Sequence, residues 1–116
     1  MKTYKDLIVW QKSRSLVKDT YLLCSKLPKD EVYGLCSQMK RASVSIPSNI
    51  AEGYRRNNQK EYIQFLGIAA GSAAELETQL ILADDLFGVA TSDALEKLEE
   101  IQKMLTVLIR KLDPKP

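Results

Sequence analysis

The strongest constraint on the fold is the spacing of apolar residues, which recur every three or four positions over most of the chain. The series nearest the C-terminus is Ala94, Leu98, Ile101, Leu105, Leu108 and Leu112. A longer one is Tyr62, Leu66, Ala69, Ala73, Leu76, Leu80, Ala83 and Phe87. This spacing places an apolar stripe along an α-helix, whereas a half-buried strand alternates at every second residue. The sequence therefore predicts an all-α fold without strands.

Capping residues and helix breakers divide the chain into four helices. These signals occur at Thr3 and Asp6, Pro28 and Asp30, Asn58 and Glu61, Gly88, Thr91 or Ser92, and Pro114. The predicted helices span about 4–27, 31–56, 59–87 and 92–112 of a single domain, 1–116. Because short turns join four amphipathic helices, we predict an antiparallel up-down-up-down four-helix bundle.

The second predicted helix carries two parallel stripes. The apolar stripe is Val32, Leu35, Met39, Ala42, Ile46 and Ile50, and the polar stripe is Gln38, Arg41, Ser45, Ser48, Glu52 and Arg55. An offset of three residues separates them by about 60° around the helix. The polar stripe therefore lies beside the core, where it faces a second subunit, a ligand or water. Pro47 removes a backbone hydrogen bond, so we expect a kink at which the Ser43 and Ser45 hydroxyls satisfy free carbonyls.

Two helices are apolar on more than one side. The first has one stripe through Leu7, Trp10, Val17, Tyr21 and Cys24, and another through Val9, Leu16, Leu23 and Leu27. The third has additional apolar residues at Ile63, Ile68, Ile81, Leu82 and Leu86. Large exposed apolar patches usually mark interfaces, so we predict a homo-oligomer. Gly67 and Gly71 each cost about 1 kcal/mol in a helix, and we expect a neighbouring helix to approach them closely.

Charge is distributed unevenly, although the net charge is only +2. Residues 1–60 carry +7 and residues 61–116 carry −5. Such asymmetry fits either a nucleic-acid surface or basic helices packed beside acidic ones, and the second alternative is favoured. Cys24 and Cys36 lack metal-binding or redox spacing, and Cys24 is expected in the core. Without a signal peptide or an apolar stretch of ~20 residues, the protein is expected in the cytoplasm, away from membranes.

The absence of histidine argues against catalysis, because it removes the commonest general base. Carboxylates at positions 52, 61, 75 and 77 would bind a metal only if the fold gathered them, and ion pairing or solvent exposure is the preferred interpretation. The glycines also lack the spacing of a phosphate-binding loop. We therefore expect no enzymatic activity, no catalytic residue, no metal and no cofactor.

Basic residues are the remaining functional candidates. We predict nucleic-acid contacts from Arg55, Arg56, Lys60, Lys40 and Arg41, with Tyr54 stacking on an unpaired base. The best cluster surrounds Arg55 and Arg56 at one end of the bundle, where a cyclic oligomer would repeat it around a rim. Further candidates are Lys12, Arg14, Lys18, Tyr4 and Trp10, although Trp10 is rather expected in the core.

Four sequence segments together resemble a known family. They are Val9-Trp10-Gln11-Lys12, Pro28-Lys29-x-Glu31-x-Tyr33-Gly34-Leu35, Gln38-x-x-Arg41-Ala42-x-x-Ser45-Ile46-x-Ser48-Asn49-Ile50-Ala51-Glu52-Gly53 and Ala69-x-Gly71-Ser72-x-x-Glu75-Leu76-Glu77. In this order they resemble the four-helix-bundle proteins encoded by intervening sequences in bacterial 23S ribosomal RNA genes. That family is itself similar to the accessory protein of diversity-generating retroelements, a five-fold barrel that binds reverse transcriptase and nucleic acid. The resemblance implies an up-down four-helix bundle and a homopentamer.

Three functional hypotheses follow. The first is an oligomeric accessory protein that binds structured or ribosomal RNA, a target implied by the resemblance. The second is a scaffold for an unidentified protein partner, without direct nucleic-acid binding. The third, an enzyme, ranks last. A steep salt dependence of binding favours the first hypothesis, and co-purification of a protein favours the second.

Overall fold

The computed structural model describes residues 2–113, in which four α-helices pack around one apolar core. The helices are α1 (Ile8–Cys24), α2 (Leu35–Tyr54), α3 (Gln59–Phe87) and α4 (Ser92–Leu112). Within the described range there is no β-strand. Helix α2 packs against α1 and α3, and α4 also packs against α1 and α3. Each helix thus contacts two of the other three, in a body of 45 × 24 × 20 Å.

Long apolar side chains from all four helices fill the core. Those with essentially no solvent exposure are Leu16, Met39, Ile46, Ile50, Leu66, Leu76, Leu80, Leu98, Ile101 and Leu105. Burying one such side chain contributes roughly 1.5–3 kcal/mol. The main stripes predicted for α2, α3 and α4 supply most of this set, so their inward faces follow from the sequence periodicity.

Helix α1 buries the second of its two apolar stripes. Leu16 is fully buried, and Ser13 and Thr20 lie beside it at 0% exposure. The two hydroxyls donate to the carbonyls of Trp10 and Leu16, at 2.9 and 2.8 Å, so their burial leaves no unsatisfied polar group. The stripe that includes Trp10 and Tyr21 lies instead at the edge of the core, next to α2.

The connection between α1 and α2 differs from the prediction. Helix α1 ends at Cys24 rather than near residue 27, because the residues before Pro28 close a tighter turn. A short 3₁₀-helix covers Lys29–Glu31, and α2 begins only at Leu35. Asp30 therefore does not cap α2, and the Glu31 carboxylate accepts from the Leu35 N–H at 3.1 Å. Val32 precedes the helix and is 51% exposed, so its assignment to the core stripe is wrong.

The other helix ends follow local capping chemistry. The Thr3 capping box begins a 3₁₀-helix at Tyr4–Asp6, and α1 starts after it. Asn58 caps α3 by accepting from the Glu61 N–H at 3.1 Å. Gly88 ends α3 with a left-handed φ of 65°. Thr91 occupies the N-cap position of α4 without a side-chain hydrogen bond. The predicted stop at Pro114 lies outside the described residues.

Helix α2 continues through Pro47. The role expected of the Ser43 hydroxyl is not seen, because it donates to the Lys40 carbonyl at 2.9 Å and not to a carbonyl freed by Pro47. Ser45 does not play this role, because its hydroxyl points to α3. The Asn49 amide instead donates to the Ser45 carbonyl at 2.8 Å. Side chains on both sides of Pro47 thus add hydrogen bonds to carbonyls of this helix, whereas the carbonyl that loses its helical donor to the proline is that of Ser43.

The close contact between helices lies at Gly53, not in the glycine-containing stretch of α3. A Cβ added at Gly67 or Gly71 would meet no atom within 4 Å. A Cβ at Gly53 would lie 2.8 Å from the Phe65 Cβ and 3.2 Å from the Tyr62 carbonyl oxygen. The absence of a side chain at Gly53 therefore allows α2 and α3 to meet near the turn that joins them.

Candidate nucleic-acid interface

A groove runs along the junction of α1 and α2, and its first part surrounds Trp10. Trp10 packs edge-to-face against Tyr4 at 5.4 Å between ring centroids. The Arg14 guanidinium lies 5.7 Å from the Trp10 ring centre. Pro47 and Val44 on α2 form the opposite wall of a cavity of about 460 Å³. Trp10 is thus partly buried against the core, and its remaining surface lines the groove.

The second part of the groove lies farther along the same two helices. Its volume is about 520 Å³, and Val44 is shared with the first part. The Lys40 ammonium lies 4.9 Å from the centre of the Tyr21 ring. Tyr33, in the loop before α2, is 96% exposed. Aromatic rings therefore stand beside cations at both ends of one continuous groove.

The charge of this groove is entirely positive. Its lining includes Arg14, Lys18, Lys40 and Arg41 and no carboxylate. Among residues 2–113 none of these four cations forms an ion pair. We call the following set the basic aromatic face: Tyr4, Trp10, Arg14, Lys18, Tyr21, Tyr33, Lys40 and Arg41. Such a surface combines phosphate-binding charges with rings on which bases can stack.

The predicted rim at the end of α2 is less available for phosphate contacts than the basic aromatic face. Arg56 lies 3.5 Å from Glu52, 3.9 Å from Glu61 and 4.9 Å from the centre of the Phe65 ring. Its charge is therefore largely compensated within the protein. Tyr54 is partly buried and packs edge-to-face against Tyr62 at 6.0 Å. Burial raises the pKa of Tyr62, with a smaller contribution from Tyr54.

The six predicted contact residues do not form one site. Arg55 and Lys60 are exposed near the end of α2, close to Tyr54 and Arg56. Arg41 precedes Arg55 by about 21 Å along the helix axis, at 1.5 Å per residue. Lys40 and Arg41 join the basic aromatic face instead. Of the further candidates, Lys12 pairs with Glu100 on α4 at 2.9 Å and faces away from this groove.

The polar stripe of α2 borders a second groove, between α2 and α3. The cavity of about 330 Å³ is lined by Gln38, Arg41, Ala42, Ser45, Ser72, Glu75 and Gln79. The Ser45 and Ser72 hydroxyls bridge the two helices at 2.7 Å. Arg41 and Ser45 line both this α2–α3 groove and the α1–α2 groove. The first three members of the polar stripe, Gln38, Arg41 and Ser45, thus line a cleft beside α3, whereas Ser48 lines the α1–α2 groove.

The carboxylates and thiols of the described residues lie apart from one another or are buried. Within residues 2–113 no three Cys, Asp or Glu side chains gather at one point suited to a metal ion. Cys24 and Cys36 are buried free thiols, each donating to the other's backbone carbonyl, at 3.7 and 3.4 Å. Burial is the main reason that the pKa of Cys24 rises to about 12. None of the helices is long and apolar enough to span a bilayer.

Comparison with known proteins identifies the family. Residues 5–107 match the family described as 23S rRNA-intervening sequence protein. The chain belongs to this family. A comparison with curated protein sequences found no match.

A solved structure supports the fold of this 23S rRNA-intervening sequence family member. It is the crystal structure of a protein with unknown function from the S23 ribosomal protein family of Bacteroides thetaiotaomicron VPI-5482. The two chains are 24% identical, with a TM-score of 0.81 over 88% of this chain and 98% of that chain. At this identity the similarity extends to the fold alone.

Sequence reasoning missed two aromatic members of the face in this family member. The sequence pattern puts Tyr21 on an apolar stripe of the first helix and Tyr33 inside the second predicted helix. A signal was present for Tyr21, because Arg14 interrupts that stripe and marks it as the less buried of the two. The sequence gives no such signal for Tyr33, because its exposure depends on α2 starting at Leu35, four residues after the predicted start at 31.

Proposed function

We propose that this protein is a non-enzymatic, cytoplasmic accessory protein that binds structured RNA through the basic aromatic face. The observation that carries the proposal is the all-positive lining of the α1–α2 groove, with exposed aromatic rings beside unpaired cations. Phosphate neutralisation supplies affinity, and stacking on an aromatic ring adds about 1–3 kcal/mol per base. The target class rests on family membership and the charge of the face.

The proposal changes the location of the predicted site. Lys40 and Arg41 are retained, and Arg14 and Lys18 replace the compensated Arg56 as phosphate contacts. Arg55 and Lys60 form a separate, smaller basic area near Tyr54. Four unpaired cations on one surface make a stronger electrostatic site than a rim in which Glu52 and Glu61 offset part of the charge.

We also propose an antiparallel up-down arrangement of the four helices. Two contacts between α1 and α4 support it: Lys12 pairs with Glu100, whereas Asp19, farther along α1, pairs with Lys97, earlier on α4. The α1–α2 contacts show the same reversal. Trp10 shares a groove with Ala51, and Cys24 meets Cys36.

A cyclic homo-oligomer is the second part of the proposal. Within the described chain, helix α3 leaves several apolar side chains 40–65% exposed, namely Ile68, Ile81, Leu82 and Leu86. Such a surface favours a subunit contact. The family resemblance suggests five subunits. In a ring, several copies of the basic aromatic face act together, so weak phosphate contacts add up to useful avidity.

The same apolar surface of α3 favours a second candidate function, a scaffold that binds a protein. In that case α3 contacts a different chain, and the basic aromatic face is only a solvated surface. The two candidates differ in one measurable property. RNA binding through this face depends steeply on salt and on its cations, whereas docking through α3 depends on apolar residues such as Leu86.

The test combines assembly with RNA binding. Light scattering after size exclusion gives the subunit number, and fluorescence anisotropy measures the affinity of the same peak for a labelled RNA hairpin between 50 and 300 mM salt. The variant Lys18→Glu/Arg41→Glu reverses two exposed cations of the face. The matched variant Arg55→Glu/Lys60→Glu makes the same change in net charge at the end of α2.

We expect an oligomer with a steep salt dependence of RNA binding. Lys18→Glu/Arg41→Glu should lower affinity at least tenfold and flatten the salt slope, while assembly is preserved. Arg55→Glu/Lys60→Glu should change affinity much less. If Arg55→Glu/Lys60→Glu lowers RNA affinity more than Lys18→Glu/Arg41→Glu does, the binding site lies at the predicted rim and not on the basic aromatic face. Negligible RNA binding by the wild-type oligomer near 150 mM salt would favour the scaffold.

A further inference from the structure

The α2–α3 groove contains polar groups without protein partners. The Gln79 side chain is only 7% exposed, and its Oε1 is buried without a hydrogen bond. Arg41 and Glu75 line the same groove, and within residues 2–113 neither forms an ion pair. Buried acceptors are satisfied in most folded proteins. An N–H donor from a ligand would satisfy this one.

The hydroxyl pair at the other end of the groove adds a donor. The Asn49 amide donates to the Ser45 hydroxyl at 2.9 Å, and the Ser45 and Ser72 oxygens are 2.7 Å apart. Whichever hydroxyl donates within the pair, the other retains a hydrogen. The groove thus presents a guanidinium and a hydroxyl as donors, and a carboxylate and a buried amide carbonyl as acceptors.

We propose that the α2–α3 groove binds the edge of an unpaired guanine base in a single-stranded segment of RNA. Guanine presents the acceptors O6 and N7 next to the donors N1–H and N2–H. An arginine pairs with O6 and N7 in the commonest specific contact to this base. Arg41 is assigned to these acceptors, Glu75 to the two donors, and Gln79 Oε1 to the second N2–H.

The other bases match this set less well. Uracil has a single N–H donor, and cytosine and adenine each offer one exocyclic amino group without an adjacent ring N–H. They would leave one oxygen of the exposed Glu75 carboxylate to water, or the buried carbonyl of Gln79 without a partner. An unsatisfied buried polar group is the strongest source of discrimination between similar ligands. The groove's volume of about 330 Å³ is also at the small end for a ligand site.

The guanine proposal rests on the proposed RNA-binding function, because Arg41 and Ser45 belong to both grooves. A strand held by its phosphates on the basic aromatic face can turn one base into the α2–α3 groove at this point. Phosphate contacts position a nucleic acid, and base contacts specify its sequence. The α1–α2 groove therefore supplies affinity for RNA, and the α2–α3 groove supplies the preference for guanine.

The test uses four fluorescein-labelled RNA 12-mers, each of uridine with a single G, A, C or U at the centre. Anisotropy gives the affinity of the wild-type oligomer for each strand near physiological salt. We expect the guanine strand to bind about tenfold more tightly than the other three. In Glu75→Gln and in Gln79→Leu, the ratio of guanine to uridine affinity should fall close to one.

Glu77→Gln is the matched control, because it makes the same charge change on the same helix and does not line the groove. This variant should keep the tenfold ratio. Circular dichroism melting and light scattering verify folding and subunit number for each variant. Gln79→Leu removes an unpaired acceptor, so its melting temperature should equal or exceed that of the wild type.

The outcomes separate this proposal from the function on which it rests. Equal, salt-sensitive binding of all four strands by the wild type overturns the guanine site and leaves RNA binding intact. Failure to bind any strand overturns the guanine site, and failure to bind the RNA hairpin as well overturns the proposed function. A guanine preference that survives in Glu75→Gln also contradicts the assignment. If Glu75→Gln instead changes the subunit number, the groove belongs to a subunit interface and the guanine proposal is wrong.

Discussion

Replacing Gly53 by alanine tests how closely α2 and α3 approach each other. The added Cβ would lie 2.8 Å from the Phe65 Cβ, 3.0 Å from Tyr62 Cδ1 and 3.2 Å from the Tyr62 carbonyl oxygen. Two carbon atoms pack best at about 3.5–4.0 Å. Neither a Cβ nor a backbone oxygen can rotate away, so the two helices must separate by roughly 0.7 Å or more at this point.

Two opposing effects set the change in the free energy of unfolding caused by Gly53→Ala. Overpacking of a well-packed region typically costs about 1–3 kcal/mol. Alanine is preferred over glycine inside a helix by up to about 1 kcal/mol, and less near the helix end, where Gly53 lies. The steric cost is larger, so Gly53→Ala should lower the free energy of unfolding by about 1–2 kcal/mol. In a domain of this size, each kcal/mol lowers the melting temperature by about 4 °C.

Urea unfolding followed by circular dichroism gives the free energy, and light scattering of the folded protein gives the subunit number. Gly67→Ala and Gly71→Ala are the matched controls, because a Cβ at either position meets nothing within 4 Å. Each should stabilise the protein by up to about 1 kcal/mol. A Gly53→Ala variant as stable as the wild type would refute the reasoning. Destabilisation by Gly71→Ala, with loss of assembly, would place a neighbouring subunit against α3.

Two further predictions concern local chemistry. Asn58→Ala removes the cap from Glu61 N–H and should cost about 1 kcal/mol in urea unfolding; stability unchanged in Asn58→Ala would show that the cap is not needed. Burial raises the pKa of Cys24 to about 12, from 9.0. Because the folded protein holds this proton more tightly, stability falls as pH rises from about 9 towards 12. The fall should be shallower in Cys24→Ala, and an identical pH profile would contradict this cause.

The number of helices and their inward faces could be predicted because they depend on local spacing. The ranges of α3 and α4 follow from unbroken apolar periodicity together with Asn58 and Gly88, whose capping geometry is local. The choice between the two stripes of α1 could not be predicted in this way. The buried stripe contains Ser13 and Thr20, which look unfavourable for a core until their hydroxyls are paired with backbone carbonyls of the same helix.

The glycines show a second limit of local reasoning. Glycine inside a helix indicates that another helix can approach closely at that position. Whether one does so depends on tertiary packing. Gly67 and Gly71 attract attention because small residues surround them, yet they are exposed in the protomer. Gly53 lies near the end of α2, where the sequence alone gives no reason to expect a close approach. Its role depends on Phe65 and Tyr62, which reach it only after the turn between α2 and α3 has formed.

Packing within the protomer accounts for part of the uneven charge. Basic helices packed beside acidic ones account for Lys12, which pairs with Glu100, and for the pair of Asp19 with Lys97. They do not account for Arg14 or Lys40, because α1 and α2 are both basic and lie against each other. Adjacent like charges oppose folding, and several unpaired cations on one groove are costly unless an anion binds there. These groove cations are therefore left for an anion from outside the protomer, which is either a nucleic acid or the acidic residues of another subunit.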